Sequence, residues 1–175
     1  MLTLPVLEAS RFVLVRPHYP ENVGAAARAV KTMGGTHLAL VKPGRLAVPE
    51  HEMALKMAVK SWDVLEGALR FSSLAEALDG IDVAFATTSR RGVSGVLTAR
   101  DAANRAVLEA SQGRRLAFVF GNEKTGLSAE DVALCGPSVR IPMAADQPSI
   151  NLAQAVQVVA YELFVAGLAL RNREG

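Results

Sequence analysis

Short, continuous apolar runs alternate along this chain with longer segments in which apolar side chains recur at helical spacing. The runs predict buried strands at 11–15, 37–41, 83–87, 116–120 and 138–141, with a weaker strand near 69–71. The segments between them predict helices at 22–33, 50–60, 74–78, 98–112 and 149–170, and a further helix after 128. This alternation favours an α/β fold with a mostly parallel sheet and helices on both faces.

Polar residues at the predicted helix starts indicate how the helices are capped. Asn22 is expected to cap a helix that the glycine pair at 34–35 ends, and Ser149 is expected to cap the last helix. Ser128–Asp131 resembles a capping box, with Asp131 in place of the usual glutamate or glutamine.

Polar loops directly follow three predicted strands in the second half of the chain, at Thr87–Arg91, Gly121–Gly126 and Pro142–Asn151. In a parallel sheet such loops gather at one edge, where backbone N–H and C=O groups can hold a ligand. The third loop joins a strand end to a helix start and carries Ser149 and Asn151. We therefore expect the ligand site of the chain to be organised around this loop.

The composition suits one domain with a core of small aliphatic side chains. Half of the 175 residues are hydrophobic but only 5% are aromatic, so alanine, valine and leucine must fill the interior. The net charge is only +2, yet residues 50–82 hold three basic and seven acidic side chains, whereas residues 84–115 hold six basic and two acidic. This asymmetry is compatible with a basic face for a polyanion and equally with ordinary solvated surfaces.

Several classes of site and location are disfavoured. Cys135 is the only cysteine and the three histidines lack ligand spacing, so we expect no metal site. Neither a Gly-x-Gly-x-x-Gly turn nor a Gly-x-Ser-x-Gly elbow occurs, and Glu123 replaces the glycine that a phosphate loop needs before Lys124. The start lacks the pattern of a signal peptide and polar residues interrupt the last helix, which favours a cytoplasmic protein without a membrane span.

Three ordered motifs together resemble those of the SpoU/TrmH class of the SPOUT RNA methyltransferase superfamily. They are Asn22–Ala29 (NVGAAARA), Phe120–Ser128 (FGNEKTGLS) and Ile141–Val156, which ends in SINLAQAV. Ala86–Arg90 (ATTSR) and Asn151–Glu162 resemble the TrmJ-like branch in particular. The similarity extends over almost the whole chain.

The resemblance implies a single catalytic domain, 1–175, whose C-terminal part, at about 83–170, is threaded as a deep trefoil knot. It also implies S-adenosylmethionine as methyl donor and a homodimer formed through the C-terminal helix and knot region. The implied reaction is 2′-O-methylation of an RNA ribose. For the TrmJ-like branch the implied substrate is a tRNA, methylated on cytidine or uridine at position 32 of the anticodon loop.

The resemblance further assigns roles to individual residues. The implied cofactor-binding positions are Thr87, Thr88, Ser89, Gly121, Ile141, Ser149, Ile150, Asn151 and Leu152. The implied catalytic residues are Asn22, Arg28, Glu123, Ser149 and Asn151, with Asn22 and Glu123 expected to orient Arg28 and the RNA. Since a guanidinium stays protonated in proteins, we expect Arg28 to clamp a phosphate and stabilise a developing alkoxide rather than to act as a base.

Arg90, Arg91, Arg114 and Arg115 are predicted phosphate contacts. Alternative functions stay open: methylation of another tRNA or rRNA ribose, a non-catalytic RNA-binding relative of the same fold, or an unrelated nucleotide-binding α/β enzyme. Because TrmJ-like proteins usually continue past the knot helix, we expect this chain to be a catalytic domain or a short member of the branch.

Overall fold

The computed structural model describes all residues from Met1 to Gly175. The helices are α1 (Pro5–Glu8), α2 (Pro20–Thr32), α3 (Glu52–Ala58), α4 (Trp62–Glu66), α5 (Leu74–Ala77), α6 (Ala99–Ser111), α7 (Ala129–Ala133) and α8 (Leu152–Glu174). The strands are β1 (Ser10–Val15), β2 (His37–Val41), β3 (Leu69–Phe71), β4 (Val83–Thr87), β5 (Leu97–Thr98), β6 (Leu116–Phe120) and β7 (Ser138–Arg140).

The seven strands form one sheet in the order β3-β2-β1-β6-β4-β7-β5, and every neighbouring pair is parallel. The register pairs Phe12 with Phe118 across β1 and β6, and Phe85 with Phe118 across β4 and β6. All strands therefore end at the same edge of the sheet, and the loops that follow β4, β6 and β7 meet there.

Alternate strand residues point to opposite faces, so each face has its own hydrophobic core. On one face, Phe12 and Phe118 belong to the larger core, which α1, α2, α6 and α8 help to cover. On the other face, Val13 and Val119 pack with residues of α5 and with Leu127. The predicted α/β fold with a parallel sheet and helices on both faces is thus confirmed.

The helix α8 is long and apolar enough to cross a membrane by length and composition alone, and it is the one helix of the chain that is. In the fold it packs against α1, α2 and α6, and 39% of its most apolar window is buried. Val156, Val159 and Leu163 lie fully inside the larger core. α8 therefore buries one of its faces in the larger core.

The predicted helix starts at Asn22 and Ser149 are wrong. α2 begins at Pro20, with Tyr19 at the N-cap, because proline at the first helical position already holds a helical φ. α8 begins at Leu152, and the side chain of Asn151 accepts the capping hydrogen bond from the Gln154 N–H at 3.2 Å. The capping box of Ser128 and Asp131 is confirmed.

Smaller differences concern element ends. The last strand stops at Arg140 rather than 141, the predicted helix at 50–60 is only α3, and α8 continues to Glu174. No sequence signal predicted α1, α4 or β5, which have four, five and two residues. Elements this short hold too few positions for a periodicity, and α5, which is equally short, was predicted from its serine cap.

Candidate functional site

A cavity of about 230 Å³ lies where the loops after β4, β6 and β7 meet. The structure brings eight of the nine predicted cofactor positions to its wall: Thr87, Thr88, Ser89, Gly121, Ile141, Ser149, Ile150 and Leu152. Asn151 is the exception, since it does not line the cavity. The wall combines backbone groups of three loops with apolar side chains, which is a usual composition for a site that holds a small organic molecule.

Hydrogen bonds at the ends of the strands fix the shape of this cavity. The Thr87 hydroxyl donates to the Val119 carbonyl at 2.9 Å, and the Thr88 N–H donates to the Val139 carbonyl at 2.8 Å. At Gly121 a Cβ atom would lie 2.2 Å from the Gly126 carbonyl carbon, so only glycine allows the loop to fold back on itself here. The loop after β6 therefore requires glycine at this position.

The carboxylate of Glu123 collects four donor contacts beside the cavity. His18 N–H lies 2.9 and 3.2 Å from its two oxygens, Tyr19 N–H donates at 3.0 Å, and the Asn22 amide donates at 2.9 Å. Burial alone would raise the pKa of Glu123, but the hydrogen bonds from Asn22, Tyr19 and His18 outweigh it and lower the pKa below its ordinary value. Glu123 is therefore ionised at neutral pH and acts as an acceptor only.

Asn22 and Asn151 extend this arrangement to the start of α8. The Asn151 amide donates to the Asn22 side-chain oxygen at 3.1 Å, while the other end of the Asn22 side chain donates to Glu123. Asn22 is buried although it is polar, and this is possible because both ends of its amide are satisfied. Residues that are more than 100 positions apart in sequence thus form one hydrogen-bonded unit, the Glu123–Asn22–Asn151 network.

Arg28 does not take part in this network. It lies on the exposed side of α2, its guanidinium makes no hydrogen bond or ion pair, and it does not line the cavity. Asn22 binds both Glu123 and Asn151, and neither Asn22 nor Glu123 contacts Arg28 within this chain. The free guanidinium remains accessible to a polyanion or to another protein surface.

The four arginines predicted to contact phosphate are separated by the fold. Arg90 lines the cavity, and Arg91 lies nearby and pairs with Asp146. Arg114 and Arg115 directly precede β6, so they lie at the opposite edge of the sheet, roughly 16 Å from the cavity by the rise of a five-residue strand. The structure therefore does not bring Arg114 and Arg115 to the site.

Sequence reasoning missed the residues that hold the segment before α2 against the loop after β6. Arg16 adopts a left-handed φ of 52°, its carbonyl accepts from the Asn122 amide at 2.7 Å, and its guanidinium pairs with Asp131 at 2.5 Å. Burial would raise the pKa of Asp131, but its bonds to Arg16 and Ser128 lower it below the ordinary value. The only sequence signal was a charged residue at a strand end followed by proline.

An all-parallel sheet with a cavity built by three loops at its carboxyl edge, and a polar network beside it, defines an α/β protein of the ligand-binding type. Residues 9–161 match the SpoU rRNA Methylase family. The match covers most of the chain, so the chain belongs to the SpoU rRNA methylase family, and the predicted family is confirmed.

Relatives extend this finding. The tRNA (cytidine/uridine/adenosine-2′-O-)-methyltransferase TrmJ of Pseudomonas aeruginosa is 36% identical over 170 residues, which are 96% of this chain and 65% of that protein. The crystal structure of TrmJ from Z. mobilis ZM4 superimposes with a TM-score of 0.80 and 37% identity over 90% of this chain and 69% of that one. This chain thus spans about two thirds of the length of these relatives.

A third neighbour is the SpoU methyltransferase AviRb from Streptomyces viridochromogenes, whose structure is in complex with the cofactor AdoMet. It superimposes with a TM-score of 0.72 and 25% identity, covering 95% of this chain and 64% of that chain.

Proposed function

We propose that this protein transfers a methyl group from S-adenosylmethionine to the 2′-hydroxyl of a ribose in RNA. The observation that carries the proposal is the cavity at the carboxyl edge with the Glu123–Asn22–Asn151 network beside it. Family membership and the activity of the TrmJ relatives support the same reaction.

The residues around the cavity fit the proposed cofactor. Apolar side chains such as Ile141 and Leu152 can enclose an adenine, while the polar groups of Thr87 and Ser89 can bind a ribose or an amino-acid end. Because Gly121 has no side chain, its backbone groups are accessible at the cavity wall. When bound, S-adenosylmethionine supplies a methyl group that is electrophilic because its sulfur is a sulfonium.

The chain itself must position the nucleophile, which is the ribose 2′-hydroxyl, and stabilise the negative charge that develops on its oxygen. The Glu123–Asn22–Asn151 network holds the loop after β6, the start of α2 and the start of α8 in fixed relative positions, which favours an in-line arrangement. Arg28 offers an unpaired guanidinium that can clamp a phosphate and stabilise the 2′-oxygen as its proton passes to solvent water. Ser149, on the cavity wall, can hydrogen-bond the cofactor or the ribose.

The role of Arg28 is tested by Arg28→Ala. We expect methyl transfer to bulk tRNA to fall at least ~100-fold, since removing one stabilising donor of this type costs about that much. The affinity for S-adenosylhomocysteine by calorimetry should stay near wild type, because Arg28 does not line the cavity. Lys56→Ala, which removes an exposed cation of α3, serves as the control. An Arg28→Ala variant that retains most activity would contradict the catalytic role.

The proposed substrate is the ribose of cytidine or uridine at position 32 of a tRNA anticodon loop, in a cytoplasmic setting. The similarity to TrmJ supports a tRNA. Mapping ribose methylation in tRNA and rRNA from cells that lack the gene tests this choice. If a methyl group is lost at another position, the assigned substrate is wrong but the assigned reaction stands. If methylation is unchanged at every position, a non-catalytic RNA-binding role is favoured.

The proposed domain organisation is a single catalytic domain at 1–175 with a trefoil knot at about 83–170. In the sheet, β7 lies between β4 and β5, although β4 and β5 follow one another in the chain. The connection at 88–96 therefore passes over the position of β7. The Arg140 guanidinium donates to the Arg90 carbonyl, and Arg91 pairs with Asp146, so the end of β7 and the chain after it are tied to this connection. This arrangement supports a knot in which β7 and the chain after it are threaded through the loop formed by the connection at 88–96.

The protein is also proposed to form a homodimer through α8 and the neighbouring knot region. Tyr161 and Val165 are one turn apart on α8 and are 52% and 41% exposed. Partly buried apolar residues, including Val158 and Leu168, flank them on the same side of the helix. Such an apolar stripe on a surface helix is typical of a subunit interface.

A further inference from the structure

Two exposed aromatic rings stand next to the Glu123–Asn22–Asn151 network. The rings of His18 and Tyr19 meet edge to face, with centroids 4.7 Å apart and planes at 88°. His18 is exposed and Tyr19 is 41% exposed, and neither side chain makes a hydrogen bond. The core therefore gives no reason for aromatic residues at these two positions.

The backbone beneath the rings is fixed at every residue. The Arg16 N–H donates to Val41 at 2.7 Å, the Pro17 carbonyl accepts from Gly44 at 2.9 Å, and the N–H groups of His18 and Tyr19 donate to Glu123. Proline on both sides of the pair further restricts the chain. Aromatic side chains on so rigid a segment can bind a partner at a small cost in conformational entropy.

A cation completes the arrangement. The Lys124 ammonium lies 5.9 Å from the centroid of the Tyr19 ring, and Lys124 lines the cavity next to Glu123. A cation–π contact at an exposed position is weak, so this ammonium can turn to a phosphate when one is offered. The two rings and the cation thus lie together at the rim of the cavity.

We propose that His18, Tyr19 and Lys124 form a docking platform for an unpaired nucleotide of the RNA substrate. A base stacks on the aromatic pair while Lys124 contacts an adjoining phosphate, which places a ribose beside the cavity. The proposal rests on the proposed function in that it assigns the RNA to this rim. Because bases inside a duplex cannot reach the rings, the platform selects single-stranded or looped RNA.

Binding measured without catalysis tests the platform. The probes are a fluorescein-labelled RNA hairpin with an unpaired loop and a fully paired RNA duplex of the same length, followed by anisotropy. The wild type should prefer the hairpin. Tyr19→Ala should weaken hairpin binding by roughly 10-fold, the loss expected for one base stacked on an aromatic ring, and should leave duplex binding nearly unchanged. Tyr19→Phe should bind like the wild type, because it keeps the ring.

Lys124→Ala should weaken binding of both probes, since a phosphate contact is independent of pairing. His37→Ala and Lys56→Ala, at exposed positions away from the cavity, are the matched controls for ring and charge. Thermal melting and S-adenosylhomocysteine calorimetry should be unchanged in the Tyr19 variants, whose side chain is outside the core.

The platform is overturned if the wild type shows no preference for the hairpin, or if Tyr19→Ala binds the hairpin as tightly as Tyr19→Phe does. A wild type that binds through Tyr19 but transfers no methyl group would overturn the proposed function and keep the platform. If the wild type methylates RNA while Tyr19→Ala keeps full affinity for the hairpin, the platform is overturned and the proposed function is kept.

Discussion

At the scale of single residues, Glu123 shows how a carboxylate can act through position rather than through proton transfer. Its two oxygens accept from the backbone of His18 and Tyr19 and from the side chain of Asn22. These donors favour the charged form, so the side chain is a poor acid and a weak base at neutral pH. Its effect is to fix the segment that leads into α2 against the loop after β6.

The lowered pKa of Glu123 predicts a pH-dependent stability difference between the wild type and Glu123→Gln. A carboxyl group whose pKa is lowered by folding stabilises the protein above its unfolded value and loses this contribution as the pH falls through the folded value. At neutral pH the free energy of unfolding of the wild type should exceed that of Glu123→Gln by about 1–2 kcal/mol, because the hydrogen bonds are made to a charged group. The difference should shrink as the pH falls below the ordinary value of 4.5.

Urea unfolding of both proteins across this pH range measures the difference. The lowered pKa of Asp131 affects both proteins equally and cancels. Glu130→Gln, which changes an exposed carboxylate of α7, is the control and should follow the wild type. A stability gap between wild type and Glu123→Gln that stays constant from neutral to acid pH would disprove the electrostatic role of Glu123.

At the scale of elements, the loop before α8 places the helix cap and a residue of the cavity wall at separate positions. The Asn151 side chain caps the helix through its oxygen and binds Asn22 through its nitrogen. Ser149, two residues earlier, lines the cavity and makes no capping bond. The helix start and the cavity wall are therefore assigned to different residues of the same loop.

This division predicts that two alanine substitutions differ in their effect on the free energy of unfolding. Asn151→Ala should lower the free energy of unfolding by about 1–2 kcal/mol, because the cap and the bond to Asn22 are both lost. Ser149→Ala should change it by less than ~0.5 kcal/mol, as for a residue outside the cap. Thermal or urea unfolding measures both. Equal destabilisation by the two substitutions would mean that Ser149 shares the capping role.

At the scale of the whole molecule, α8 uses its faces for different purposes. Val156 and Leu163 bury one face in the larger core, whereas Tyr161 and Val165 leave an apolar stripe exposed on another. Within residues 1–175 no element covers this stripe.

The double substitution Tyr161→Glu/Val165→Glu should convert the proposed dimer to a monomer, because two carboxylates would be buried without partners at the interface. In sedimentation equilibrium the wild type should have twice the mass of one chain, and the variant should have the mass of one chain. Leu134→Glu, at an exposed apolar position next to α7, is the control and should stay dimeric. A monomeric wild type would remove the basis for the interface.

The sequence by itself determined the architecture and the family. The strands at 37–41, 83–87 and 116–120 were predicted with their observed ends, because an uninterrupted apolar run bounded by polar or glycine residues has few other solutions in a parallel sheet. The capping box of Ser128 and Asp131 was predictable because it depends on two residues that are three positions apart in sequence. The motifs located the loops that line the cavity for the same reason: each is a continuous stretch of chain.

Only the tertiary structure decided how these stretches meet. Asn22 was predicted to cap a helix, yet it binds Glu123 and Asn151, which are far away in sequence and invisible to local rules. Arg114 and Arg115 read as a basic pair, but strand direction places them at the other edge of the sheet. Local propensity fixes elements, whereas hydrogen bonds between distant side chains depend on packing that no local pattern encodes.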